Sequence, residues 1–88
     1  MTEYQLIFAR SARHDLEDLE TTVVNRLFPK IEALAQQPRP AGCLKLRGTD
    51  YLWRIRVGDY RIIYSINDVD KLVDVVHIRH RSKAYSFF

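Results

Sequence analysis

The chain is poor in the residues that staple small proteins or build common catalytic loops. Cys43 is the one cysteine in 88 residues, which excludes an internal disulfide framework and fits a reducing compartment. The three glycines, Gly42, Gly48 and Gly58, follow no repeat, so there is no glycine-rich phosphate loop. Three scattered histidines and a lone cysteine show no metal-ligand spacing, and no nucleophile elbow is present. No apolar run approaches the ~20 residues of a membrane span. The opening MTEYQLIFAR carries Glu3 beside a short apolar run, unlike a signal peptide. A cytoplasmic protein without membrane attachment, cofactor or metal is expected. With no repeat and no linker, residues 1–88 read as one domain.

What the chain does have is positive charge, unevenly placed. Residues 1–43 hold five Lys/Arg against six Asp/Glu, and residues 44–88 hold nine against five. The net charge of +3 therefore gathers in the second half, where a polyanionic partner, nucleic acid by default, would be met by one face. The competing reading is a plain solvated surface.

The stretch WRIRVGDYRIIY, Trp53 to Tyr64, organises that half. Trp53, Ile55 and Val57 alternate with Arg54 and Arg56, the period of a half-buried strand. Gly58-Asp59 supplies a two-residue turn, with Gly where a type II′ turn needs positive φ. Tyr60, Ile62, Tyr64 and Ile66 then alternate with Arg61, Ile63 and Ser65. In an antiparallel hairpin Arg61 shares a face with Arg54 and Arg56, and such crowding of like charge favours a bound anion.

The rest of the chain supports the hairpin. Tyr4–Phe8 reads as a strand. Ser11 is placed as the N-cap of a first helix carrying Ala12, Leu16 and Leu19. Asp15, Glu17 and Asp18 are expected near that helix's N-terminal half, as a solvated face favoured by the macrodipole. Thr21 or Thr22 would cap a second helix with an apolar stripe from Val23 to Ala35, kinked or restarted at Pro29. Gln37–Gly42 ends the helical region. Leu44–Leu46 is a short strand or edge segment, Asn67–Asp70 a turn, and Leu72–Ile78 a largely buried strand. The predicted class is α+β: a two-helix hairpin packed on a curved, mainly antiparallel four-stranded sheet, in the order β-α-α-β-β-β.

Arginine forks match phosphate oxygens and keep their charge at any working pH, so they suit a pentacovalent phosphate. RNA brings its own nucleophile, the 2′-hydroxyl. The basic and aromatic candidates are Lys45, Arg47, Arg54, Arg56, Arg61, Arg79, His80, Arg81 and Tyr85. Lys45, His80 and Tyr85 are the titratable ones, and His80 has an ordinary pKa near neutrality. His14 reads as solvated and His77 as a hydrogen-bonded strand residue.

KLRG at Lys45–Gly48, WRIRVGDYRIIY, and IRHRSKAY at Ile78–Tyr85 together resemble the RelE branch of the RelE/ParE toxins of type II toxin–antitoxin systems. The opening YQLIFARSARHDLEDL is similar to that family's first strand and helix. The resemblance implies a metal-free mRNA endoribonuclease acting in the ribosomal A site, by 2′-hydroxyl attack. It implies as partners a cognate antitoxin, the ribosome and mRNA, with operator DNA bound only by the toxin–antitoxin complex. By position it implies Arg61 as the phosphate-stabilising arginine and Tyr85 as the tyrosine against the substrate base. Arg81, with Arg79 as second choice, matches the arginine that precedes that tyrosine. Arg47, Arg54 and Arg56 match RNA-holding positions. Some members carry lysines where Arg54 and Arg56 stand, so proton transfer here would fall to His80, Lys45, Tyr85 or water. Two other readings are a ParE-like gyrase poison without nuclease activity and a degenerate member that only binds antitoxin and DNA.

Overall fold

The computed structural model describes residues 3–82. Strand β1 (Gln5–Phe8) precedes helices α1 (Arg10–Glu17) and α2 (Thr21–Ala33). Strands β2 (Leu44–Lys45), β3 (Leu52–Val57), β4 (Tyr60–Asn67) and β5 (Leu72–His80) follow. They form one sheet in the order β1-β5-β4-β3-β2. Every pairing is antiparallel except β1 against β5. The α+β class holds with five strands rather than four, because Leu44 and Lys45 pair with Arg54 and Trp53.

Both helices cover the same face of the sheet. Ala12 from α1 and Leu27, Ile31 and Leu34 from α2 and its end pack on Ile55, Val57, Ile62, Tyr64, Val73, Val75 and Ile78. Burying one large apolar side chain is worth about 1.5–3 kcal/mol, and this cluster is what holds so short a chain together. The β3–β4 hairpin has the expected turn, with Gly58 at φ 60° and Val57 paired to Tyr60. The Asn67 side chain caps the next turn by accepting the Val69 and Asp70 N–H groups at 3.1 and 2.9 Å.

The helix starts differ from expectation. Ala9, not Ser11, is the N-cap of α1, because Ser11 is already inside the helix and its hydroxyl is directed at the sheet. The helix ends at Glu17 with Asp18 as its C-cap. Asp15, Glu17 and Asp18 therefore stand at the C-terminal end, where the macrodipole disfavours carboxylates. In α2 the cap is Glu20 rather than a threonine. The helix runs through Pro29 without restarting; Asn25 and Pro29 are both exposed, so water can serve the carbonyl that the missing N–H leaves.

Strand β5 carries a β-bulge. Ile63 pairs with His77 and Tyr64 with Val75, so Val76 has no partner on β4. Beyond Phe8, which pairs with Val75, β1 no longer covers the β5 edge, and α1 takes over. Ala9 N–H donates to the Val75 carbonyl at 2.9 Å and the Ser11 hydroxyl to the Val76 carbonyl at 2.6 Å. Asp15 Oδ2 accepts the Ile78 N–H at 2.9 Å. Ala9, Ser11 and Asp15, spread from the N-cap to the last turn of α1, thus satisfy an edge that would otherwise be bare.

The far end is tied by Arg39, whose guanidinium bonds Asp68 through two nitrogens at 3.3 and 2.9 Å and lies 5.2 Å over the Trp53 ring. Tyr4 also donates to Asp68. Tyr64, buried in the core, donates to the Pro38 carbonyl at 2.7 Å, and burial pushes its hydroxyl pKa upward.

Two predictions follow from these ties. Replacing Asp15 by Ala strands the Ile78 N–H and should destabilise the fold by about 1–3 kcal/mol in urea titrations. Arg39, then Tyr4, holds the Asp68 carboxyl at about 2, below its ordinary 3.8. The folded state thus takes up that proton less readily than the unfolded chain, so the contribution is complete above about pH 4 and fades as pH falls through about 2. The melting-temperature gap between the wild type and Arg39→Met should therefore narrow on acidification from about pH 6 to about pH 2.

Candidate nucleic-acid interface

Strand register decides which charges meet. The helices occupy the face that holds Ile55, Ile62 and Ile78. By alternation the opposite face carries Arg54 and Arg56 from β3, Arg61, Ile63 and Ser65 from β4, and Asp74, His77 and Arg79 from β5. Arg56 lies directly across from Arg61, and Arg61 directly across from Arg79. Three guanidinium-bearing residues thus form one row across three strands, an arrangement in which like charges repel. Ile63, flanked by Arg54 and His77, is buried, as is Leu52 at the start of β3. The arginines stand around an apolar floor.

The row leads to a cavity at the hairpin tip. A hollow of about 440 Å³ is lined by Arg56, Gly58, Asp59, Tyr60, Arg61, Arg81 and Ser82. Arg81 is brought there by its own backbone, whose N–H donates to the Asp59 carbonyl at 2.7 Å. The chain leaving β5 is thereby pinned to the β3–β4 turn. Arg56 and Arg61 of the hairpin share this concavity with Arg81, which is distant in sequence, and Asp59 also lines it. Such a set can bind an anion with several oxygens by charge-assisted hydrogen bonds.

The remaining sequence candidates lie elsewhere. Arg54 is one strand repeat from Arg56 on the same face, and Arg79 lies across from Arg61. Lys45 pairs with Trp53, hence on the helix side at the far edge, and Arg47 is exposed in the turn after β2. His80 pairs with Tyr60 and meets its ring edge-on at 5.3 Å, on the side away from Arg61 and Arg79. Tyr85 lies outside the described residues.

Two features were not read as functional from sequence. His77 is on the arginine face, its Nδ1 3.4 Å from Asp15 Oδ2 and 3.4 Å from an Arg79 nitrogen. Asp15 and Asp18 line a second hollow of about 430 Å³, which shares Tyr60 and Ser82 with the first. The spacing of three along α1 was the available signal for that pair. On the same face Asp74 has its carboxyl pKa raised by burial, so it offsets the arginines less readily than a solvated carboxylate. Among the described residues no three His, Cys, Asp or Glu side chains are grouped to hold a metal ion, and no helix is long and apolar enough to cross a membrane.

A two-helix cover on a mixed sheet whose other face bears a row of arginines defines a small α+β protein with a cationic face. A family model, the ParE toxin of type II toxin–antitoxin systems, matches residues 6–85, and the chain belongs to this RelE/ParE toxin family, in its RelE branch. It is 30% identical over 74 residues to the RelE1 protein of Methanocaldococcus jannaschii, covering 81% of this chain and 82% of that one. The RelE–RelB complex of Pyrococcus horikoshii superposes with a TM-score of 0.78 at 31% identity, covering 96% of this chain and all of that chain. The RelBE2 toxin–antitoxin complex of Mycobacterium tuberculosis gives 0.79 at 26% identity, over 90% and 99% of the two chains.

An occupied cationic cavity should stabilise the fold. At an anion concentration ten times its Kd the gain is about 1.4 kcal/mol, or about 4–8 °C per kcal/mol in a domain of this size. Inorganic phosphate is expected to raise the melting temperature of the wild type, and to raise those of Arg56→Ala and Arg61→Ala by less.

Proposed function

We propose that this type II toxin is a ribosome-dependent endoribonuclease that cuts mRNA in the A site and so halts translation. The observation that carries the proposal is the meeting of Arg56, Arg61 and Arg81 around one cavity. The 2′-hydroxyl of the substrate attacks the adjacent phosphorus, the 5′-oxygen leaves, and a 2′,3′-cyclic phosphate forms. Arg61 and Arg81 stabilise the charge on the pentacovalent phosphate, and Arg56 with Arg54 and Arg79 holds the flanking backbone. Lys45 and Arg47, at the far edge of the sheet, contact more distant phosphates. His77, His80 and Tyr85 are the titratable groups for removing the hydroxyl proton and protonating the leaving oxygen. Holding Asp15 at its back, His77 is the histidine that shares the arginine face.

The protein works in the cytoplasm, where its message and ribosomes are. A cognate antitoxin restrains it, as the RelB-bound state of two structural relatives suggests, and the pair together binds operator DNA. A second reading, gyrase poisoning without RNA cleavage, is favoured by one observation, the parDE description of the matching family model.

Purified protein added to a translating extract separates the two. Primer extension should find new mRNA 5′ ends at codon positions, while a parallel gyrase supercoiling assay stays unaffected; lost supercoiling with intact message would establish the other reading. Arg61→Ala and Arg81→Ala should each lower cleavage by about 10²-fold or more, the usual effect of removing one transition-state donor, and relieve growth arrest at normal expression.

A further inference from the structure

Arginine can hold a phosphate through a transition state, but it keeps its charge and takes up no proton at working pH. The row of Arg56, Arg61 and Arg79 therefore needs a base within reach. Side chains two residues apart along a strand stand about 7 Å apart. A ribose joined to a phosphate held at Arg61 thus comes against the next row, which is Arg54, Ile63 and His77.

Among the described residues the choice of base narrows quickly. Asp74 stands a further row away, opposite Ser65. Asp59 lines the cavity, but it is exposed, and an exposed carboxylate is a weak base near neutrality. His80 is on the helix side, and its Nδ1 accepts the Ser82 N–H at 3.2 Å. His77 is on the arginine face.

The fold grips His77 by one nitrogen. Its Nδ1 lies 3.4 Å from Asp15 Oδ2, and an Nδ1 proton directed at that carboxylate makes Nε2 the basic nitrogen. The same oxygen accepts the Ile78 N–H at 2.9 Å and lies 3.8 Å from Arg79 Nε. One carboxylate on α1 thus fixes three consecutive residues of β5. The His77 side chain is 15% exposed, enough for the ring to be reached. The charged groups around it are Asp15 from α1, Arg79 and Asp74 on β5, Arg61 on β4, and Arg54 beyond Ile63 on β3. The arginines favour a neutral ring and Asp15 a charged one, which suits a group that starts neutral and ends protonated.

We propose that His77 is the general base of cleavage and that Asp15 is the residue that positions it; the inference rests on the nuclease reading. Nε2 takes the 2′-hydroxyl proton as O2′ bonds to phosphorus. The P–O5′ bond breaks, water gives O5′ its proton, and the imidazolium returns its own proton to solvent.

The test follows single-turnover cleavage of mRNA on ribosomes from about pH 5.5 to about pH 8.5, the range in which imidazole titrates. The wild type is compared with His77→Gln and with Asp15→Asn, which keeps a side-chain oxygen for the Ile78 N–H; melting curves confirm folding. The wild-type rate should rise with pH. His77→Gln should lower its plateau by about 10²-fold or more and flatten the rise. Asp15→Asn should cut about tenfold more slowly, with its midpoint moved to lower pH, because a ring without the carboxylate gives up its proton more easily. A folded His77→Gln that cuts at the wild-type rate, or that loses rate with the pH profile unchanged, overturns the base. A midpoint unmoved in Asp15→Asn overturns the positioning role, and it decides the matter if His77→Gln does not fold. A wild type that cuts nothing overturns the nuclease reading itself.

Discussion

The residue without a partner, Val76, governs the geometry of this molecule. Val73 and Val75 face the helices, and uninterrupted alternation would put His77 and Arg79 on that same side. The bulge inserts one residue and reverses the phase. Ile78 then enters the core, and His77 and Arg79 join Arg61 on the open face. The bulged stretch has no β1 beside it, and α1 serves that edge instead: Ser11 takes the Val76 carbonyl and Asp15 the Ile78 amide. The first helix is therefore more than a cover for the core. It holds the strand in the register that assembles the site.

The cationic row answers to a different logic from the core beside it. Ile62 and Ile78 are cross-strand neighbours buried under helices, whereas Arg61 and Arg79, one residue away on the same two strands, face each other with like charge. Their proximity costs electrostatic energy, offset at Arg79 by Asp15, whose Oδ2 lies 3.8 Å from the Arg79 Nε. On the proposed reading, an anionic ligand turns the repulsion into binding. The rigid hairpin and the Arg81–Asp59 backbone bond fix the backbone that carries Arg56, Arg61 and Arg81, so on that reading less entropy is lost on binding.

Much of this was open to inspection in the linear chain. The Trp53–Tyr64 hairpin, its Gly58 turn, the Asn67 turn and the helical stripe from Val23 depend on near neighbours, and local periodicity reports them faithfully. The family could be recognised because three motifs keep their order and spacing. Other features escaped. Ser11 resembled a cap because its type suits one, but a carbonyl on β5, 65 positions away, claims its hydroxyl. The acidic residues of α1 passed for a solvated face because nothing nearby in sequence shows what stands opposite them. His77 and His80 differ by three positions, and no local rule says which of them looks toward the arginines.

Composition and alternation by themselves determined an α+β fold with a basic second half, whose hairpin carries arginines on one side and a core on the other. They did so because side-chain direction along a regular strand follows from parity alone. Tertiary structure decided the rest: the strand order, the phase of β5 beyond Val76, and the meeting of Arg81 with Arg56 and Arg61. Those depend on hydrogen bonds between segments far apart in the chain, and an unpaired residue in a strand leaves no mark on sequence until its partner is in place.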